Sequence, residues 1–252
     1  MNIVISQNPG ELGKAAGSAS AQLIREAIKV HGTANIILAT GTSQFETLNQ
    51  LLSENIEWSK VTMFHLDEYI DLPVTHPASF RKYLQERFIS KVSPLKAVHL
   101  INGETDPQQE CNSLGVLISK RMIDVALVGI GENGHLAFND PPADFETESP
   151  YVIVELDEQC RKQQLGEGWF KSIEEVPRRA ISMSIKQIMK SRYIICSVPD
   201  SRKAIAVKNC FKKPVSNVHP ASILQLHSNC TCYLDKDSAA LLTDRVGEKV
   251  EK

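Results

Sequence analysis

A short motif near the centre of the chain carries residue types suited to proton transfer. In DVALVGIGENGHLAFNDPP, residues 124–142, an apolar run breaks into glycines, and an amide, an imidazole and a carboxylate follow at Asn133, His135 and Asp140. An imidazole held by polar neighbours can take and give protons near neutral pH. The simplest interpretation is a buried strand followed by a glycine turn, but packing alone does not explain three such groups so close together.

A second segment has the features of an anion site. Thr40, Gly41, Thr42 and Ser43 follow the predicted strand 35–39 and precede the predicted helix 44–52. A glycine turn at a helix N terminus offers free backbone N–H groups and a positive dipole end, which suit a phosphate. N-capping by Thr42 or Ser43 is the alternative, and capping is compatible with binding.

Two further strand ends carry charged residues. Asp67 is the first polar residue after the apolar run 61–66, and a parallel sheet would direct it into the same crevice as the glycine turns. Glu68, next to it, is expected in a solvated loop. Arg202 and Lys203 fall in the first turn of a helix, where cations oppose the dipole unless an anion lies nearby. A solvated surface therefore competes with anion binding, more evenly for Arg202 than for Lys203.

These residues need a scaffold that brings strand ends together. Strands and amphipathic helices alternate up to residue 124, which predicts right-handed βαβ units and a doubly wound, mostly parallel α/β sheet of the Rossmann-like type, with helices on both faces. We expect one domain over residues 1–252. Residues 160–170, CRKQQLGEGWF, mix cations, glycines and aromatics, which predicts a mobile flap over the site within about 150–175.

The composition excludes several classes of protein. Hydrophobic residues make up 42% and charged residues 23%, with a formal net charge of −2, so no basic field would attract nucleic acid or an anionic membrane. The N terminus lacks signal-peptide features and no run reaches membrane-spanning length, which predicts a cytoplasmic protein. Six cysteines without a CxxC pair predict buried, reduced thiols and no zinc pattern.

Three segments resemble a known family. LATGTSQ, MFHLDEYIDLPVTHPASF and GIGENGHLAFNDP occur in the order and spacing of the glucosamine-6-phosphate deaminases, also called isomerases, and VPRRAISMSIKQIM, DSRKAIAV and HPASILQLH resemble that family's later segments. The resemblance implies conversion of an amino-sugar phosphate and water to the ketose phosphate and ammonia, without a metal or an organic cofactor. A 6-phosphogluconolactonase, which shares GxGxxGH, and a non-catalytic sugar-phosphate-binding relative remain alternatives.

The resemblance also implies roles for individual residues. Asp67 corresponds to the base that moves a proton between C2 and C1, and His135 to the group that opens the sugar ring, with Asn133 and Asp140 supporting it. Backbone N–H groups of the motif's glycines could face charge that develops on oxygen. The residues expected to contact substrate are Thr40, Gly41, Thr42, Ser43, Glu68, Gly129, Gly131 and Lys203.

The chain departs from the family pattern at several positions. Asn133 stands where many members have aspartate, and Asp140 replaces a glutamate, so the contact with His135 must close up or use a water. The family's flap arginine has no counterpart, although Arg161 or Lys162 could substitute. Basic activator-site positions also lack a match, so we expect a rate curve unchanged by N-acetylglucosamine 6-phosphate. A homo-oligomer is compatible with the sequence.

Overall fold

The computed structural model describes residues 1–92 and 94–242, so the last ten residues of the predicted domain, 243–252, lie outside the described residues. The strands are β1 (Asn2–Ser6), β2 (Ala34–Leu38), β3 (Val61–His65), β4 (Asp67–Tyr69), β5 (Ala97–His99), β6 (Val125–Val128), β7 (Tyr151–Glu155), β8 (Arg179–Met183), β9 (Tyr193–Val198) and β10 (Cys230–Asp235). The helices are α1 (Pro9–His31), α2 (Phe45–Ser53), α3 (Phe80–Arg87), α4 (Pro107–Ser119), α5 (Glu158–Gly166), α6 (Ile185–Met189) and α7 (Ala204–Lys212).

Seven strands form one parallel sheet in the order β1, β10, β9, β6, β2, β3, β5. Alternate side chains of the central strands face opposite sides: Ile36 packs with α1, α2 and α3, whereas Ile37 packs with α4, α6 and α7. Burial on both faces explains why these strands appear as continuous apolar runs. The predicted α/β class, with a mostly parallel sheet and helices on both faces, is confirmed.

A second, three-stranded antiparallel sheet was not predicted. Its order is β4, β8, β7, and the chain enters it directly from β3, with Leu66 as the only residue between the two sheets. Tyr69 anchors it, because its ring contacts Phe80, Phe138 and Phe170 at centroid distances of 5.0, 5.2 and 5.7 Å. Asp67 opens β4 opposite Ser182 of β8, so backbone pairing fixes its position.

The segment predicted to be a flap is ordered around helix α5. Asp157 caps the helix by accepting a hydrogen bond from the Cys160 N–H, and Cys160 and Phe170 are buried in the core of the small sheet. The segment therefore contributes residues to the core, which the sequence analysis did not expect, while the mobile flap stays a prediction. Among the described residues, no helix has the length and apolarity needed to cross a bilayer.

Candidate active site

One cleft collects most of the residues singled out from the sequence. It lies beyond the carboxyl ends of β2, β3, β6 and β9, where ligands bind in parallel sheets. Of the predicted site residues, it is lined by Thr40, Gly41, Thr42, Ser43, Asp67, Gly129, Gly131, His135 and Lys203. Asn133 and Asp140 lie behind His135, and Glu68 lies elsewhere.

His135 is held by a direct carboxylate contact. Its Nδ1 lies 3.0 Å from Asp140 Oδ1, so the shorter aspartate reaches the ring without a bridging water. Burial alone would raise the pKa of Asp140, but hydrogen bonds from His135 and Asn133 lower the pKa below its usual value. An ionised Asp140 orients the ring with Nδ1 as donor, which leaves Nε2 as the proton-exchanging atom on the side of the cleft.

Asn133 has a role that an aspartate could not fill. Its Nδ2 donates to Asp140 Oδ1 at 2.9 Å and to Asp157 Oδ2 at 3.1 Å, and its Oδ1 accepts from the His135 N–H at 3.0 Å. The amide therefore bridges two carboxylates. A carboxylate at position 133 would lack the donor and would be a third negative charge beside them, so the asparagine fits this set of neighbours.

Asp67 faces the cleft as a buried carboxyl group. Only 7% of the residue is exposed, and burial, reinforced by the charge of Glu68, raises the pKa of Asp67 to about 8. A carboxylate with so high a pKa is a stronger base than an exposed aspartate. Asp67 and His135 line the same cleft, as a proton-transfer site requires.

Glu68 does not contact the cleft, contrary to the expectations of a substrate ligand and of a solvated loop. Its Oε1 accepts from the Tyr69 and Phe80 N–H groups, and its Oε2 accepts from Ser79 Oγ, the Arg81 N–H and Arg81 Nε. Five donors occupy the carboxylate, which is fully buried and paired with Arg81 at 3.3 Å. Glu68 therefore fixes the start of α3 behind the site.

Residues 40–43, called the anion cradle for the role predicted from the sequence, form a turn that lines the cleft. Gly41 has φ +92°, a conformation that favours glycine, and its carbonyl accepts from Tyr83 Oη at 3.0 Å. Gln44, 1% exposed, donates to Ser43 Oγ at 3.1 Å and to the carbonyls of Val128 and Ser197 at 3.4 Å. These bonds tie the cradle to the ends of β6 and β9.

Lys203 supplies a buried cation that lines the same cleft. It is 6% exposed, and burial lowers the pKa of its ammonium group. Within the described residues, no carboxylate oxygen lies within 4.0 Å of its Nζ, whereas Arg202 is paired with Asp200 at 2.9 Å and Glu132 at 3.5 Å. The charges of Glu132 and Glu167 act on the ammonium group from farther away, and a buried cation without a close ion pair favours an anionic ligand.

Gly131 does not have the surroundings expected of an oxyanion site. The Gly131 N–H donates to the His135 carbonyl at 3.0 Å and is therefore not free to face a substrate oxygen. A Cβ at position 131 would overlap the His135 ring. Glycine is needed at 131 because the imidazole packs against the backbone, while Gly129 lines the cleft nearby.

Sequence reasoning missed three polar residues that line the cleft at the C-terminal end of α5: Gln163, Gln164 and Glu167, which directly follows the helix. Gln163 Oε1 accepts from the Glu132 N–H at 2.7 Å, and Gln164 Oε1 accepts from Tyr69 Oη at 2.7 Å. Burial raises the pKa of Glu167, an effect that the charge of Lys203 opposes. The four-residue spacing of Gln163 and Glu167 was the available signal, because it places both on one helix face.

Arg161 and Lys162, the expected substitutes for the flap arginine, point elsewhere. The Arg161 guanidinium donates to the carbonyls of Ile173 and Val176. Lys162 is exposed and pairs with Glu158 one helical turn earlier. Neither residue lines the cleft. Among the described residues, the lysine and arginine side chains that do line it are Arg202 and Lys203.

Comparison with known proteins gives consistent results. A family model described as glucosamine-6-phosphate isomerases/6-phosphogluconolactonase matches residues 7–233. Proteins named glucosamine-6-phosphate deaminase from Bacillus thuringiensis (strain Al Hakam) and Bacillus anthracis (strain A0248) are 33% identical over 250 residues, 99% of this chain and 92% of theirs. A solved monomeric glucosamine-6-phosphate deaminase aligns with TM-score 0.87 and 32% identity over 96% of this chain and 100% of its own. The 6-phosphogluconolactonase of Trypanosoma brucei, TM-score 0.79 and 18% identical over 96% of this chain and 98% of its own, shares the fold.

Proposed function

The chain belongs to the family of glucosamine-6-phosphate isomerases and 6-phosphogluconolactonases, and we propose that it is the deaminase, converting glucosamine 6-phosphate and water to fructose 6-phosphate and ammonia. The observation that carries the proposal is the cleft itself. A buried carboxyl group with raised pKa, a carboxylate-held imidazole, the anion cradle and the buried Lys203 all line it.

Ring opening is assigned to His135. Its Nε2 takes the proton of the C1 hydroxyl and delivers a proton to the ring oxygen, while Asp140 keeps the ring in one orientation. Asn133 holds Asp140 in place and contributes no proton itself. The product of this step is the open-chain amino aldehyde.

Isomerisation is assigned to Asp67. The carboxylate takes the proton from C2, which the C1 carbonyl acidifies, and returns it to C1, while the amino nitrogen gives up a proton and the C1 oxygen gains one, so that an imine forms at C2. Addition of water to the imine carbon and loss of ammonia leave the ketose phosphate. The raised pKa of Asp67 suits both halves of this transfer, because the group must accept a proton from carbon and then release it.

Identity and chemistry both favour the deaminase over the lactonase. The deaminase relatives are 33% identical, against 18% for the Trypanosoma brucei lactonase. Lactone hydrolysis needs no carbon base, so it leaves the buried Asp67 unexplained. The direct test is to incubate the protein with glucosamine 6-phosphate and to measure fructose 6-phosphate and ammonia. Hydrolysis of 6-phosphogluconolactone without ammonia release from the amino sugar would contradict the proposal.

Lys203 is expected to bind the substrate phosphate. Hydrogen bonds to charged groups contribute more than neutral ones, so Lys203→Met should lower kcat/KM for glucosamine 6-phosphate by roughly 10- to 100-fold, mainly through KM. Lys208→Met, on the exposed face of α7, is the matched control and should leave KM unchanged. An unaltered KM in the Lys203 variant would remove this residue from the phosphate site.

Gln164 is expected to bind a sugar hydroxyl. Tyr69 Oη fixes the amide orientation, and among the described residues no acceptor lies within hydrogen-bond distance of Gln164 Nε2, which is free to donate to a ligand. Gln164→Ala should raise KM roughly two- to tenfold, the value of one neutral hydrogen bond. Gln159→Ala, on the exposed side of α5, serves as control. Equal KM values in both variants would contradict the assignment.

A further inference from the structure

A cluster of three different metal-binding groups lies directly behind the cleft. The His135 ring, the Asp140 carboxylate and the Cys160 thiol each offer one ligand atom, and these atoms all lie within 4.8 Å of one another. Imidazole, carboxylate and thiolate are the three ligand types that Zn²⁺ uses in proteins. Tetrahedral zinc with bonds of about 2.0–2.3 Å separates its ligands by about 3.5 Å, so small side-chain shifts would close the set.

The charges around the cluster also favour a cation. Asp140 and Asp157 lie on either side of the Asn133 amide, and their carboxylates are satisfied by neutral donors and the His135 ring. Across the described ranges, no lysine or arginine nitrogen lies within 4.0 Å of either carboxylate. Two carboxylates without a cationic partner create a negative potential that attracts a positive ion.

Because the three groups are buried, the net charge of the metal and its ligands determines whether the ion can bind. Cys160 is fully buried and only 8% of His135 is exposed, so a net charge at this place would be costly. Zn²⁺ with one thiolate and one carboxylate is neutral. On binding, the thiol proton of Cys160 leaves to solvent, and the proton of the His135 ring shifts from Nδ1 to Nε2, so that the ring binds through Nδ1 as neutral imidazole.

We propose that His135, Asp140 and Cys160 form an inhibitory site for Zn²⁺ or a similar transition-metal ion. The metal takes the place of the hydrogen bond between His135 and Asp140, with water as the fourth ligand. A ring bound through Nδ1 to a metal is fixed and no longer exchanges protons as the reaction needs. The ion thus stops the proposed reaction without entering the sugar site, and it is distinct from any metal required for catalysis.

Metal binding is tested without reference to activity. The full-length protein is titrated with Co²⁺, and a thiolate-to-cobalt charge-transfer band is expected in the near ultraviolet. Cys160→Ser should abolish the band, and Cys111→Ser, another buried cysteine remote from the cleft, should retain it. The absence of a band in the unaltered protein, or its persistence in the Cys160 variant, would overturn the proposal. A persisting band would place the ion at Cys230 and Cys232, whose sulfurs lie 3.9 Å apart.

Inhibition is tested separately, and this part alone rests on the proposed function. Zn²⁺ should inhibit with slow onset, because Cys160 is fully buried, and Cys160→Ser should raise the half-inhibitory concentration by about tenfold or more. Equal sensitivity of the two proteins would refute the inhibitory role. If the Cys160 variant does not fold, Asp140→Asn replaces it in the Co²⁺ titration, where at least about tenfold weaker binding is expected.

Discussion

Replacing Asp67 with asparagine lowers kcat for glucosamine 6-phosphate by roughly 10²- to 10⁴-fold, the contribution of a positioned general base, while KM changes little. Asparagine keeps the size of the side chain and its place opposite Ser182 but cannot take the proton from C2. In the unaltered enzyme the base must be ionised. We therefore expect kcat/KM to rise with pH up to about 8, the raised pKa of Asp67. Turnover and pH profile are measured by ammonia release.

The same variant has a stability signature that separates loss of the base from misfolding. Folding raises the pKa of Asp67 from its ordinary 3.8 to about 8, so the folded state binds the proton more tightly than the unfolded state. The contribution of Asp67 to the free energy of unfolding is therefore fully present below pH 3.8 and is lost as the pH rises to about 8. The amide of the variant cannot ionise, so Asp67→Asn should gain melting temperature relative to the unaltered protein across this window. A variant that is less stable at pH 8 would contradict this account.

Arg81→Met is expected to destabilise the fold by about 3–5 kcal/mol, the cost of removing one partner from a buried ion pair. Arg81 is 7% exposed and donates to Glu68, to Asn102 Oδ1 and to the Leu72 carbonyl, whereas methionine supplies none of these donors. The free energy of unfolding is measured by urea denaturation monitored by circular dichroism.

The neighbouring Lys82→Met is the matched control, because within the described residues the Lys82 side chain donates only to the exposed Thr75 carbonyl. It should change stability by less than about 0.5 kcal/mol. If Glu68 instead contacted substrate, Arg81→Met would chiefly raise KM. A stable Arg81 variant with a raised KM would therefore restore the original interpretation of Glu68.

The sequence predicted the parallel sheet because the pattern that indicates each strand lies within a few consecutive residues. Buried strands appear as apolar runs, and the turns that follow β2 and β6 are indicated by Gly41 and the glycines of the central motif. The carboxyl ends of parallel strands share one edge, so residues far apart in sequence could be assigned to one crevice. Asp67, His135 and the anion cradle were placed by this rule.

The remaining features depend on contacts that no local pattern encodes. β4 has three residues, Asp67–Tyr69, and its pairing with β8 is determined by tertiary structure. Gln164 and Glu167 lie at the C-terminal end of a polar helix, where inward-facing side chains resemble a solvated surface. Glu68 was misplaced because sequence position does not specify which way a side chain turns. Five donors around one carboxylate become visible only in three dimensions.

The passage of the chain from β3 to β4 has a consequence for substrate choice. The anion cradle follows β2 of the large sheet, whereas Asp67 opens β4 of the small one, so in the proposed complex the phosphate and the reacting carbons contact different sheets. In that complex, the spacing between the two sheets sets the number of carbons that fit between the phosphate and the reacting centre. The Tyr151 hydroxyl donates to the His65 carbonyl at 2.9 Å and so links the two sheets. A substitution of Tyr151, which does not line the cleft, would therefore change the spacing between them.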